Sequence, residues 1–352
     1  MIKSLVIKNY RGIRKCVLED LKRINVFIGR NNSGKSSILE SLYLASAAFY
    51  FNDDLHGLGN KLNFLLNRRC PRGYTWNTAK EVLWYMYNTK SPISIELFID
   101  EQKNPLVVDL FEWHEHPMIR YKIGNADHIC LIHRLMFNSE NRAMVGHISD
   151  IVFSKETKFF SDFKLIDNAL VQKMDTIEKK LWKDLLKERD DRIIVEILRS
   201  GYDIDIEDLT YTTYDGKVFQ LAVKLPKTTI RVDDLGDGAR HAILLMMIAS
   251  LSKNTALLIE EPENYQHPSG LAKTLDMLLT LVKRNNIQLF ITTHSLEFLR
   301  ILREESKEKK VNVGIYFLER DSLGDVSVRK LTFDNMTILE KMGFDPRFLD
   351  LI

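Results

Sequence analysis

The octapeptide Gly29-Arg30-Asn31-Asn32-Ser33-Gly34-Lys35-Ser36 fits the pattern GxxxxGK[ST], follows an apolar run and opens a helical pattern. In that setting the backbone N–H groups of Gly29, Asn31, Asn32, Ser33 and Gly34 are expected to curl around a β-phosphate, and the helix that begins through Ser37 adds its positive end. Lys35 would reach the β- and γ-phosphates, and the Ser36 hydroxyl would ligate Mg²⁺. A second segment, Ala256-Leu257-Leu258-Ile259-Glu260-Glu261, reads as a buried strand ending in two carboxylates. Unpaired charge is costly inside such a strand, so acids at its tip belong to a site at the sheet's C-terminal edge. Glu260 is then the acid for Mg²⁺, and Glu261 the general base that polarises an attacking water. Taken alone, two such glutamates read as a solvated loop; the phosphate loop gives them their role.

Thr292-Thr293-His294-Ser295 follows the next apolar strand. Adjacent parallel strands end on one rim, which sets His294 toward a γ-phosphate. Asp234-Leu235-Gly236-Asp237-Gly238-Ala239-Arg240 precedes another helix. Its glycines, Gly236 and Gly238, expose backbone N–H groups at a helix N-terminus, a second phosphate-binding device. The plainer reading is a turn with Asp237 as N-cap.

These segments need elements to hold them. Ile2 to Ile7 alternate as a strand does, Ile24 to Ile28 form a short buried run, and a helix is expected from Lys35 to about Ala48. From Leu235 the order is helix, strand Ala256 to Ile259, helix Ser269 to Lys283, strand Gln288 to Thr292, helix Leu296 to Arg303, then a strand pair Val311 to Leu318 and Val326 to Leu331. Alternating strands and helices predict a mostly parallel, covered sheet. The nucleotide fold is split between residues 1–50 and 231–352. Residues 51–230 form an insertion of short strands such as Ile93 to Ile99, aromatic-rich loops (Tyr74, Trp76, Trp84, Tyr85, Tyr87) and a helix. That helix carries Leu170, Met174, Ile177, Leu181 and Leu185 as its apolar stripe and is expected to pack on its own lobe.

With 352 residues the chain can bury a sizeable core, and 50 Lys plus Arg against 48 Asp plus Glu confines any anion-binding surface to a local patch. Cys16, Cys70 and Cys130 are too scattered for a zinc site or a disulfide framework. No stretch approaches the ~20 apolar residues of a membrane span, and no signal peptide is visible. A cytoplasmic protein with no membrane partner is expected.

The motif order resembles the ABC-type ATPase heads of the RecF/SMC class, and in particular the ATPase module of the OLD (overcoming lysogenization defect) family. The segments that carry the likeness are IKNYRGI, GRNNSGKSS, LGDGAR, LLIEEPENYQHP and TTHS. The resemblance implies an α/β P-loop NTPase of ABC-ATPase head type, with a large α+β insertion lobe. It implies ATP and Mg²⁺ as ligands, LGDGAR in the signature position, a D-loop beginning at Pro262-Glu263-Asn264, and His294 as switch histidine. It implies a homodimer in which one head's signature closes over ATP on the other, and it sets Arg11 near the nucleotide.

Several residues depart from that family. Glu260 stands where most relatives have Asp, Gly236 replaces the signature serine, and only Gln102 offers itself as Q-loop glutamine. OLD nucleases carry a Toprim domain after the ATPase; about twenty residues follow Leu331, and none is expected here. The expected output is an ATP-gated clamp or switch on DNA or on an effector protein such as a nuclease, in repair or anti-phage defence. A nucleotide-sensing scaffold and a transporter's cytosolic ATPase are the rivals. DNA contact would come from Arg68, Arg69 and Arg72, with Tyr74 and Trp76 to stack, or from Lys307, Lys309 and Lys310; either cluster reads equally as solvated surface. Glu319, Asp321 and Asp325 read as a charged hairpin turn rather than a metal cluster.

Overall fold

Leu5 and Ile7 on one face build β1 (Ile2–Tyr10), and a register shift between Ile2 and Ser4 turns Ile2 to that same core. β2 (Ile13–Leu18) and the wholly buried β3 (Ile24–Ile28) follow, then α1 (Lys35–Ser46), α2 (Lys61–Asn67) and the single-turn α3 (Trp76–Ala79). Next come β4 (Ile93–Ile99), β5 (Leu106–Trp113), β6 (His116–Ile123), β7 (Ala126–Leu131), α4 (Lys155–Ser161) and β8 (Lys164–Ile166). The second half runs α5 (Met174–Glu188), α6 (Asp191–Gly201), β9 (Asp208–Thr213), β10 (Phe219–Lys224), β11 (Thr229–Arg231), α7 (Asp237–Leu251), β12 (Ala256–Glu260), α8 (Pro268–Arg284), β13 (Gln288–Thr292) and α9 (Leu296–Lys309). It closes with β14 (Val313–Arg320), β15 (Asp325–Leu331) and α10 (Phe333–Lys341). The computed structural model describes residues 1–69, 73–100, 104–123, 126–131, 155–213, 216, 219–343, 345, 347 and 349. Cys70, Arg72, Gln102 and the side chain of Cys130 lie outside the described residues.

The chain divides into two compact units, Met1–Leu165 with Gly314–Ile352, and Ile166–Val313. In the first, the strand order is β7-β6-β5-β4-β1-β2-β15-β14-β3. Pairing is antiparallel from β7 through to β2 and again between β15 and β14; β2 and β15 are parallel over two residue pairs. The expected mostly parallel sheet is therefore corrected here. Strands β4 to β7 run antiparallel to their neighbours and extend the edge of β1; the short connections from β4 through β7 permit no parallel pairing among them. Trp76 and Trp84, read from sequence as loop aromatics, are each 1% exposed and pack edge to face with ring centres 5.7 Å apart.

The second unit holds the parallel pair β12–β13, in register from Ala256 opposite Gln288 to Glu260 opposite Thr292. β13 is buried throughout and β12 as far as Ile259, the continuous apolar run of a strand covered on both faces. A separate antiparallel ribbon has the order β11-β10-β9. The apolar stripe forms α5 from Met174 onward; Leu170 sits in the 3₁₀ turn before it. Both α5 and α6 pack on α7 within this unit. Among the described residues no helix is long and apolar enough to cross a membrane.

Glu178 of α5 is 3% exposed and accepts the Leu221 N–H of β10 at 3.2 Å. Burial pushes its carboxyl up to about 7, against that hydrogen bond. A carboxyl raised in the folded state keeps its proton there while the unfolded chain loses it. Stability therefore falls as pH rises toward 7 and stays reduced above it. Glu178→Gln keeps the acceptor and removes the titration. Calorimetry should show its melting temperature a few degrees above wild type at pH 8 and equal to it at pH 5; an equal difference at both pH values would contradict this.

Candidate functional site

The phosphate-type loop belongs to the first unit. β3 ends at Ile28, and Gly29 turns the chain at φ 138°; a Cβ there would lie 2.4 Å from the Leu318 carbonyl of β14, so no side chain fits. Asn32 (φ 66°) and Gly34 (φ 101°) complete the turn into α1, and Gly34 rests on Ile13 and Val326. Lys35 folds back across the loop, its Nζ donating to the carbonyls of Gly29 (2.8 Å) and Arg30 (2.7 Å). Asn31 and Asn32 are exposed, Ser36 is half-buried, and Ser37 is buried in the first turn of α1. That turn carries no acidic residue to cancel the helix's positive end. Ser33 Oγ is buried with no hydrogen-bond partner. A side-chain-free turn, a buried ammonium, an acid-free helix start and an orphaned hydroxyl are the donor set that a nucleotide phosphate requires, and the residues present fit one.

Arg11 is held by contacts within its own unit. Held at φ 49°, it donates to the Leu65 carbonyl (2.6 Å) and the Tyr10 hydroxyl (3.3 Å), and pairs with Glu40 of α1. Glu40 is fully buried and also receives Arg68 (2.6 Å) and Arg69 (3.1 Å). Burial alone would raise its pKa; the three guanidinium groups hold it below the ordinary carboxylate value. Of the arginines expected to meet nucleic acid, Arg68 and Arg69 both pair with Glu40: the Arg68 side chain is 9% exposed and that of Arg69 53%, and Trp76 is buried.

The carboxylate cluster belongs to the second unit. The register of β12 and β13 sets Glu260 opposite Thr292, so Glu261 and His294 leave the sheet on one rim. Glu261 takes φ 45° and donates its N–H to the Thr292 carbonyl at 2.9 Å. Its Oε1 lies 3.6 Å from His294 Nε2, and its Oε2 accepts Asn264 Nδ2 at 2.9 Å. A carboxylate with one oxygen held by an amide and the other facing an imidazole has a fixed orientation, as a proton acceptor requires. Glu263, two residues on, accepts the Thr293 hydroxyl at 2.5 Å and the His294 N–H at 3.3 Å on one oxygen. Burial raises its pKa against those bonds. Sequence reasoning gave Glu263 and Asn264 only a place in a loop and passed over Thr293. The signal was there in a third acid just past Glu261 and a hydroxyl just before His294.

In the signature segment Gly236, not Asp237, is the N-cap of α7; Asp237 is the first helical residue and makes no cap bond. Gly236 faces open space, whereas a Cβ on Gly238 would lie 2.7 Å from the Tyr265 carbonyl. Gly238 thus lets α7 approach the segment after Asn264. Glu319, Asp321 and Asp325 form the hairpin turn expected of them: Asp321 caps the N–H groups of Leu323 and Asp325, and Asp325 pairs with Arg14. Among the described residues no group of three or more His, Cys, Asp or Glu is arranged to hold a metal ion.

Comparison with known proteins agrees with this geometry. The chain matches the AAA ATPase domain family over residues 1–192 and, overlapping, 136–299. A Helicobacter pylori protein named ATP/GTP phosphatase is 24% identical over 340 residues, covering 88% of this chain and 89% of that protein. The OLD nuclease of Thermus scotoductus is 22% identical over 371 residues, covering 94% of this chain and 67% of the nuclease. In fold, the SMC head domain from Thermotoga maritima aligns with a TM-score of 0.51 at 12% identity, over 94% of this chain and 99% of that one. These matches bear out the RecF/SMC/OLD resemblance and the P-loop ATPase fold.

If the loop holds a nucleotide, replacing Lys35 by Ala removes a charge-assisted phosphate contact. Titration calorimetry should show nucleotide affinity lowered by about 10–100-fold or more. Unchanged affinity would contradict the assignment of the loop.

Proposed function

The chain belongs to the AAA ATPase domain family, and from that premise we propose that it binds Mg-ATP on the Gly29–Ser37 loop, hydrolyses it, and uses the cycle as a switch. The observation that carries hydrolysis is the pairing of Glu261 with His294, with Asn264 fixing the second carboxylate oxygen. In this reading Lys35 and the loop amides hold the phosphates. Glu261 accepts the proton of the attacking water, and His294 steadies the charge that develops as the γ-phosphoryl group leaves. Ser36 and Glu260 are the groups given to Mg²⁺, which would neutralise charge on the β- and γ-oxygens. The nucleotide also joins two copies: the exposed N-terminus of α7, with Gly236 at its cap, closes over ATP on the partner head.

The output is a protein effector rather than direct capture of DNA. What favours this is the use of Arg68 on Glu40, the burial of Trp76, and the pairing of Lys309 with Asp276, which draw one basic residue of each cluster and one of the two stacking aromatics into internal contacts. DNA contact through other surfaces of a closed dimer is the second reading, and the OLD nuclease relative is its support.

Glu261→Gln removes the base and leaves every phosphate contact. Turnover should fall by roughly 10²–10⁴-fold, and light scattering should show dimers accumulating with ATP. Wild-type turnover in this variant would place the catalytic carboxylate elsewhere.

A further inference from the structure

Glu263 lies outside the phosphate loop and the base, and the proposed chemistry leaves it without a task. Its Oε1 is the meeting point of two donors from the segment after β13, the Thr293 hydroxyl at 2.5 Å and the His294 N–H at 3.3 Å. The Thr293 hydroxyl itself accepts the Ser295 N–H at 2.9 Å, so its single proton is directed at Glu263. Ser295 in turn caps α9 through Phe298 N–H at 3.0 Å. The chain of bonds therefore runs from the turn after β12 into the start of α9, with His294 in the middle. The other oxygen, Oε2, is buried and has no hydrogen-bond partner. A carboxyl kept in such a place costs stability that a neutral residue would not.

We propose that Glu263 is a positioning residue for hydrolysis: it fixes the backbone at Thr293 and His294, and so holds the imidazole at its 3.6 Å separation from Glu261. Asn264 does the same for the other side of the base, through its bond to Glu261 Oε2. Adjacent residues of one turn thus set the base and the histidine against each other. The inference rests on the reading of Glu261 and His294 as catalytic.

The test is steady-state ATP hydrolysis by the full chain carrying Glu263→Ala, Glu263→Gln, His294→Ala, and the Glu263→Ala/His294→Ala pair. Loss of positioning should lower kcat by about 10–100-fold with KM within about twofold. Glu263→Gln retains the Oε1 acceptor and should recover to within about fivefold of wild type. Because Glu263 acts through His294, the double variant should be no slower than His294→Ala by more than about twofold. Fully multiplied losses, a rise in KM at unchanged kcat, or a Glu263→Gln variant as slow as Glu263→Ala would overturn the inference while leaving the catalytic reading intact. Wild-type turnover by His294→Ala would instead overturn the catalytic role of the histidine, and the inference with it.

Discussion

A carboxylate with no exposure to water has to be paired, and Glu40 is paired three times over. Breaking a buried ion pair by removing one partner costs roughly 3–5 kcal/mol, several times the burial of a methylene. Glu40 therefore dictates what gathers around it. It sits on α1 four residues after Ser36, on the same helical face. The turn between β1 and β2 must deliver Arg11, and the segment after α2 must deliver Arg68 and Arg69. Once these converge, the helix that begins at the phosphate loop has no freedom to rotate. Tyr10, whose hydroxyl also lies 3.3 Å from Glu40, ties the end of β1 into the same knot. The geometry of Gly29 and Lys35 is set from behind by this cluster and from the side by β14, whose Leu318 carbonyl leaves Gly29 no room for a side chain.

That constraint explains where sequence reading succeeded and where it did not. The loop from Gly29 to Ser37, the strand ending at Glu260, the strand before Thr293 and the helix at Gly238 were legible because each is a local pattern. Glycines mark the turns, and short apolar runs mark strands buried on both faces. Arg68 and Trp76 misled because their fate is decided by residues far along the chain. An arginine beside a tyrosine and a tryptophan has one composition whether it faces solvent or reaches a buried glutamate 28 residues away. The antiparallel strands β4 to β7 were likewise hidden: their pairing with β1 is a long-range choice, and their alternation is the same in a separate lobe. Asp237 was the natural N-cap by type, yet Gly236 holds that position, and Gly238 lies where a Cβ would meet the Tyr265 carbonyl.

The second unit repeats the lesson at the carboxylates. Left-handed backbone at Glu261 is costly for a non-glycine residue and persists only where neighbours over-determine it. Here the Thr292 carbonyl, Asn264 and the His294 ring all do so. The same turn runs on to Tyr265, against which α7 is packed through Gly238, so α7 and Glu261 share one short stretch of chain. A displacement of α7 by a partner head would therefore be felt at Glu261, which gives the proposed switch a physical route.

The central claim is that each catalytic site is shared between two copies, the phosphate loop of one and the α7 N-terminus of the other. Mixing two inactive variants tests it most directly: Lys35→Ala, which lacks a working loop, and Gly236→Glu, whose side chain enters open space on its own chain and would block the α7 N-terminus against the partner's phosphate. In mixed dimers one site is built from the two intact halves, so turnover should return to about a quarter of the wild-type rate in an equimolar mixture. If the two variants, each folded and each inactive alone, stay inactive together at every ratio, the site is complete within one chain and the account of the dimer is wrong.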